Sequence, residues 1–162
     1  MLKTLSELLP EIRTIKETGK KIVFTNGVFD ILHKGHVDYL NDAAALGDYL
    51  IVAVNADASV RRLKGPTRPV NSEGDRAYIV KNLKSVWETF IFTEDTPYEV
   101  IRQIIPDVLV KGGDYSADET DPASPRYIVG SDIVKKAGGS IVTIDLTEGR
   151  STTNVIAKIN QN

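Results

Sequence analysis

The chain has 162 residues, 41% apolar and 26% charged, a composition that suits one globular domain and contains no apolar run of the ~18 residues that span a bilayer. It has no cysteine, which excludes disulfides, thiolate catalysis and cysteine-ligated metals. A net charge of −2 excludes a general attraction to nucleic acid, and an N-terminus with charges scattered among its apolar positions lacks a secretory pattern, so a cytoplasmic protein is expected.

Residues 1–19 predict an N-terminal helix ahead of an α/β core over 20–162, the whole 1–162 forming one domain. KIVFTN (21–26) is a β-branched and aromatic strand pattern, followed by turn-prone Gly27 and a helical pattern from about Gly35 to Leu46 that Gly47 closes. DYLIVAVN (48–55) is a second buried strand, after which Asp57 is placed to cap a helix. Beyond the loop KGPTRPVN the pattern predicts a helix near 72–84, a strand near 86–92, a helix near 97–104 and the strand DVLVKGG. The segment 114–127, with four acids and two prolines, reads as a surface loop. A helix near 128–137 ends at Gly138-Gly139, SIVTIDL (140–146) is the next strand, and STTNVIAKI (151–159) closes the chain as a helix. Strands that are apolar on both faces and alternate with helices predict a single Rossmann-like, doubly wound parallel sheet.

Such sheets bind ligands beyond the C-terminal ends of their strands, at the switch in strand order. The loops of interest are therefore 26–35, 55–57, 64–71, 112–127 and 147–152. The first carries both histidines of the chain, His33 and His36, around a helix start whose unpaired N–H groups attract anions. A lone histidine is usually a hydrogen-bonded structural residue, but a pair three residues apart at such a start points to a shared anion. A metal pair is the competing reading, yet the chain offers no cysteine or third histidine to complete a transition-metal site. No GxxxxGK[ST] occurs and no GxGxxG follows a strand, so the loop is neither a P-loop nor a dehydrogenase fingerprint.

RRLKGPTR concentrates cations in a nearly neutral protein. Arg61 and Arg62 read as a solvated helix face, whereas Lys64 and Arg68, which Gly65-Pro66 takes off the helix, are candidates for binding phosphate. Arg76, on the following helix, is a further substrate-phosphate candidate that alternatively points inward or pairs with Glu73. Ser151, Thr152 and Thr153 follow a glycine turn at another helix start, where plain capping competes with a second phosphate cradle.

His33-Lys34-Gly35-His36, after a strand and Gly27-Val28-Phe29-Asp30, resembles the HxGH signature of the nucleotidyltransferase superfamily. STTNVI resembles its phosphate-holding serine/threonine motif. GVFDILHKGHVDYL, VAVNADASVRRLKGPTRPV and LVKGGDY are most similar to the adenylyltransferase domain of the bacterial ADP-heptose synthases, with TDPASPRY as an insertion. The resemblance covers about residues 20–160. It implies an enzyme that joins AMP from ATP to D-glycero-β-D-manno-heptose 1-phosphate, giving ADP-heptose and pyrophosphate for the lipopolysaccharide core. It also implies Mg²⁺ travelling with the triphosphate, a homodimer, and a separate sugar kinase upstream; neither a nucleic-acid nor a membrane partner is expected.

On this reading His33 and His36 serve the α- and β-phosphates, with Lys64 as a third catalytic group. Lys64, Arg68 and Arg76 hold the sugar phosphate or the transition state. Asn26, Gly27, Val28 and Phe29 bind the nucleotide, Lys111, Gly113, Asp114 and Tyr115 lie near the nucleoside, and Ser151, Thr152 and Thr153 hold the β- and γ-phosphates. No protein-held metal site is expected. The alternatives are a cytidylyltransferase acting on a polyol phosphate such as glycerol 3-phosphate, and a non-catalytic nucleotide-binding module.

Overall fold

A computed structural model describes residues 2–145 and 152–159 of the chain, without the side chains of 152–154. Its elements run α1 (Leu5–Glu17), β1 (Ile22–Gly27), α2 (Lys34–Ala44), β2 (Tyr49–Asn55), α3 (Asp57–Lys64), α4 (Glu73–Lys81), β3 (Glu88–Phe92), α5 (Tyr98–Ile104), β4 (Val108–Gly112), α6 (Ser131–Lys136), β5 (Ser140–Ile144) and α7 (Thr152–Ile159). The strands form one sheet in the order β3-β2-β1-β4-β5, with every neighbouring pair parallel. This is the predicted doubly wound α/β architecture, and its order reverses between β1 and β4.

Period-two alternation within each strand divides the core into two layers. Ile22, Phe24, Ile51, Ala53 and Leu109 face Leu8 and Ile12 of α1, Ile101 of α5 and Val134 of α6. Val23, Val52, Val54 and Val110 face the other way, towards Tyr39, Leu40 and Ala43 of α2 and Ala77 and Val80 of α4. Burial of both faces explains why the strands read as continuous apolar runs rather than alternating ones.

Several element ends differ from expectation for local reasons. Asp57 is not the cap of α3: Ala56 occupies that position, and Asp57 opens the helix with its carboxylate turned to an arginine. Ser72 does cap α4, its Oγ accepting from the Asp75 N–H at 3.3 Å. Lys64 is the last residue of α3 rather than part of the loop. α6 starts at Ser131 because Gly130 adopts φ 84°, where an added Cβ would meet Ile101 at 2.7 Å.

Candidate active site

The reversal in strand order opens a crevice at the C-terminal ends of β1 and β4, and a cavity of about 600 Å³ occupies it. Asn26 and Gly27 at the end of β1, Lys111 and Gly112 at the end of β4, and Asn55 at the end of β2 form its floor. His33, His36, Lys64, Arg68 and Tyr115 line its walls. Residues from widely separated stretches of sequence therefore share one concave surface.

His33 occupies the N-cap position of α2 and His36 its third helical position. Their rings stack with centroids 4.0 Å apart and planes 27° apart, and the Phe29 ring meets His36 edge-on at 5.5 Å. The His33 backbone N–H donates to His36 Nδ1 at 3.4 Å, so the neutral ring carries its proton on Nε2. Burial, helped by His33 and Lys64, pushes the His36 pKa down to about 4. His36 is consequently a neutral N–H donor at physiological pH. Beneath it the Tyr39 hydroxyl, 2.8 Å from Thr25 Oγ1, is pushed by burial up to about 12 and keeps its proton.

The approach to these rings is set by Gly27 and Phe29. Phe29 adopts φ 48°, a left-handed conformation uncommon outside glycine and concentrated at functional sites. A Cβ on Gly27 would lie 2.9 Å from the Phe29 ring. Gly27 thus makes room for a side chain of its own loop, which in turn packs on His36, and it also lines the cavity.

Asp30 closes the Gly27-Val28-Phe29-Asp30 motif, and its role becomes visible only in the structure, where it anchors two ligand-side loops to each other. Its side chain is 1% exposed; it accepts from Arg68 Nε at 2.7 Å and from the Val70 and Asn71 backbone N–H groups. Burial works against its charge, but the N–H groups of Asn71 and Val70 and the Arg68 guanidinium outweigh it and hold the carboxyl below its ordinary range. Arg68 is thereby fixed at the cavity wall through its Nε. Lys64, at the end of α3, faces the same space, and burial followed by the charge of Arg68 lowers its pKa, with Asp30 opposing.

Arg76 corrects an expectation. Its side chain is fully buried, with Nε on Asn71 O at 3.0 Å, one terminal nitrogen on Val28 O, and the other on Asn55 O and Asp57 Oδ1, both at 2.8 Å. Each guanidinium nitrogen is bonded to the protein, and the side chain has no exposed surface and does not line the cavity, so Arg76 is not presented to a substrate phosphate. It pairs with Asp57, not Glu73, and Glu73 instead accepts from the Asp57 N–H. What Arg76 does is tie together the backbone after β1, the end of β2, the start of α3 and the 65–72 loop.

On the other side of the floor, Lys111 Nζ donates to Asn26 Oδ1, and Tyr115 lies beside it. Gly113 and Asp114 sit in the exposed turn beyond Gly112 and do not line the cavity. Ser151 lies outside the described residues; Thr152 and Thr153 open α7, and their side chains lie outside as well. Among the described residues no group of three or more His, Cys, Asp or Glu is placed to hold a metal ion, and no helix is long and apolar enough to cross a membrane. Asp30 is spent on Arg68 and two N–H groups, and Asp95 at the cavity edge on Arg62, so the described donor set suits anions better than a divalent cation.

The family model described as cytidylyltransferase-like matches residues 24–158. Among curated proteins, the bifunctional protein HldE of Syntrophotalea carbinolica is 51% identical over 144 residues, covering 89% of this chain and 28% of that protein. The bifunctional protein HldE of Aliarcobacter butzleri is 47% identical over 161 residues, covering 99% of this chain and 31% of that protein. The chain thus spans less than a third of the length of these relatives. Among solved structures, the lipopolysaccharide core biosynthesis protein from Thermoplasma volcanium aligns with TM-score 0.59 at 28% identity, covering 82% of this chain and 100% of that one. Pantothenate synthetase from Thermus thermophilus aligns with TM-score 0.60 at 14% identity, covering 95% of this chain and 66% of that one, a likeness of fold alone.

Proposed function

The chain belongs to the cytidylyltransferase-like family, and on that premise we propose that it is an adenylyltransferase joining AMP from ATP to D-glycero-β-D-manno-heptose 1-phosphate. The products are ADP-heptose, destined for the lipopolysaccharide core, and pyrophosphate. The observation that carries the reading is the stacked His33–His36 pair facing a cavity that Lys64 and Arg68 also line. Relatives named bifunctional protein HldE and a lipopolysaccharide core biosynthesis neighbour support the choice of sugar.

The chemistry needs charge control and little else. A sugar phosphate is already an oxyanion at neutral pH, so one of its oxygens attacks the α-phosphorus directly and no base has to remove a proton. The bond from the α-phosphorus to its bridging oxygen breaks, and that electron pair leaves with pyrophosphate. His36 donates from Nε2 to the phosphate oxygens that gain charge, and His33, stacked on it, serves the same region. Lys64 and Arg68 hold the incoming phosphate, while Asp30 prevents Arg68 from moving with it. Mg²⁺ enters on the triphosphate as part of the substrate. Ser151, Thr152 and Thr153 take the β- and γ-phosphates on this reading.

The whole chain acts as one transferase domain on this reading, with a cytoplasmic location and a homodimeric state, and a sugar kinase reaction must supply the 1-phosphate. Pyrophosphate release from a panel of nucleoside triphosphates and sugar phosphates tests the assignment. ATP with the heptose 1-phosphate is expected to exceed CTP with glycerol 3-phosphate by orders of magnitude, because buried polar groups built for sugar hydroxyls cost about 1–3 kcal/mol each when left unpaired. The family's description keeps the CTP reaction as the second reading, and a preference for CTP would replace the adenylyl assignment with it. His36→Ala is expected to fold and to lose about 10²- to 10³-fold in turnover, the scale for one donor to a developing phosphate charge.

A further inference from the structure

Lys111 stands apart from the other cations of the cavity. It follows Leu109 by two residues and so shares the strand face turned towards α1, α5 and α6, whereas α2, bearing the histidines, covers the opposite face. Asn26, two residues after Phe24, shares the Lys111 side of β1. Lys111 Nζ donates to Asn26 Oδ1 at 2.5 Å and lies 5.5 Å from the Tyr115 ring centroid. An ammonium has three N–H donors, and here a neutral carboxamide takes one. No carboxylate bonds to Lys111 among the described residues: its register partner on β5 is Thr143, and Asp95, across the cavity, is engaged with Arg62 at 2.7 Å. Asp145 stands behind Gly113, where an added Cβ would meet its Oδ1 at 3.0 Å. A half-buried cation with no carboxylate bonded to it is an unfavourable arrangement that a bound anion relieves.

We propose that the Lys111 ammonium is a phosphate-recognition group of this cavity, resting on Asn26 Oδ1 in the free protein and turning to a substrate phosphate on binding. The inference rests on the nucleotidyl-transfer reading for the source of that phosphate, either the nucleotide or the acceptor sugar. It adds to that reading a cation on the face away from the histidines, where the family resemblance placed Lys111 near the nucleoside through its backbone. Burial pushes its pKa down to about 8, so at pH 8 roughly half the molecules carry the proton, and an anion that draws the charge on makes the rest take one up.

Calorimetric titration at pH 8 in two buffers of different ionisation heat tests this, with inorganic pyrophosphate, ATP and a hexose 1-phosphate as separate probes. The intact chain is expected to take up about half a proton per phosphate ligand bound at Lys111. Lys111→Met should abolish that uptake and weaken the same ligand about 10- to 100-fold, with the melting temperature kept or raised because a half-buried cation without a carboxylate partner is gone. Loss confined to pyrophosphate and ATP assigns Lys111 to the nucleotide; loss confined to the hexose 1-phosphate assigns it to the acceptor. Asn26→Asp gives Lys111 a permanent anion, so proton uptake should vanish and affinity fall even if Lys111→Met does not fold. Proton uptake and affinities within twofold of the intact chain in the folded variants would overturn the inference, as would no binding of any probe. Lys111-dependent binding without pyrophosphate release from any substrate pair would sink the transfer reaction and leave this recognition role standing.

Discussion

On the proposed reading His36 meets an anion as a neutral donor, and its titration tests that. Its pKa lies at about 4, below the ordinary 6.5, so as pH falls the unfolded chain takes up the proton first. Whatever stability this difference contributes is therefore present above pH 6.5 and is lost between 6.5 and 4. Because the chain has only two histidines, their ring proton resonances are directly separable by NMR. One is expected to titrate near 4 in the free protein and to move to higher pH when pyrophosphate binds; both titrating near 6.5 would mean that the pocket is not closed around His36. Arg76 makes the opposite case. A phosphate-binding arginine at a surface would leave stability within about 0.5 kcal/mol when replaced. Fully buried on three carbonyls and Asp57, Arg76 is expected on replacement by lysine to destabilise the fold by about 3–5 kcal/mol, measured by denaturant unfolding. The sequence left Arg76 between an inward position, a partner and a substrate because charge alone does not say which side of a helix is covered.

The junction of β1 and α2 carries the most information per residue. Its strand, its turn and its helix were legible from the apolar run, Gly27 and the following periodicity, and both histidines were legible as a pair. What Gly27 does was not, because the ring it accommodates belongs to Phe29, in a left-handed conformation that no propensity predicts. Gly27→Ala is expected to force the Phe29 ring off His36, destabilising the protein by about 1–3 kcal/mol and weakening ATP binding together with it. Unchanged stability and affinity in that variant would show that the loop adapts freely. The α3–α4 connection was legible as a cationic loop, but the division of labour within it follows from Asp30, which pins Arg68 and the backbone at Val70 and Asn71 while Lys64 stays at the end of its helix.

At the scale of the molecule, the sheet order decides which loops meet. The 114–127 loop follows β4 on the ligand side, yet it is anchored mainly to itself and to α6: the Ser116 N–H donates to Arg126 O at 2.9 Å and Lys135 Nζ to Ala117 O at 2.7 Å. The chain re-enters the core at Ile128, which is fully buried, and Val129 lines the cavity. Deleting Thr120–Arg126 is therefore expected to leave the melting temperature nearly unchanged and to alter, if anything, the choice of sugar, read by pyrophosphate release with each substrate; a large fall in melting temperature would place the loop in the folding core. By itself the sequence determined the element order, the parallel doubly wound sheet and the pairing of the two histidines in the first loop, because hydrophobic periodicity, turn residues and the spacing of the histidines are local properties written along the chain. Only the tertiary structure decided that Arg76 is sealed inside, that Asp30 locks Arg68, and that Lys111 lies on Asn26 across the β1–β4 crevice. Each of those three outcomes includes a contact between residues 38, 48 or 85 positions apart, whose partners are chosen by packing and desolvation once the sheet has brought the strand ends together.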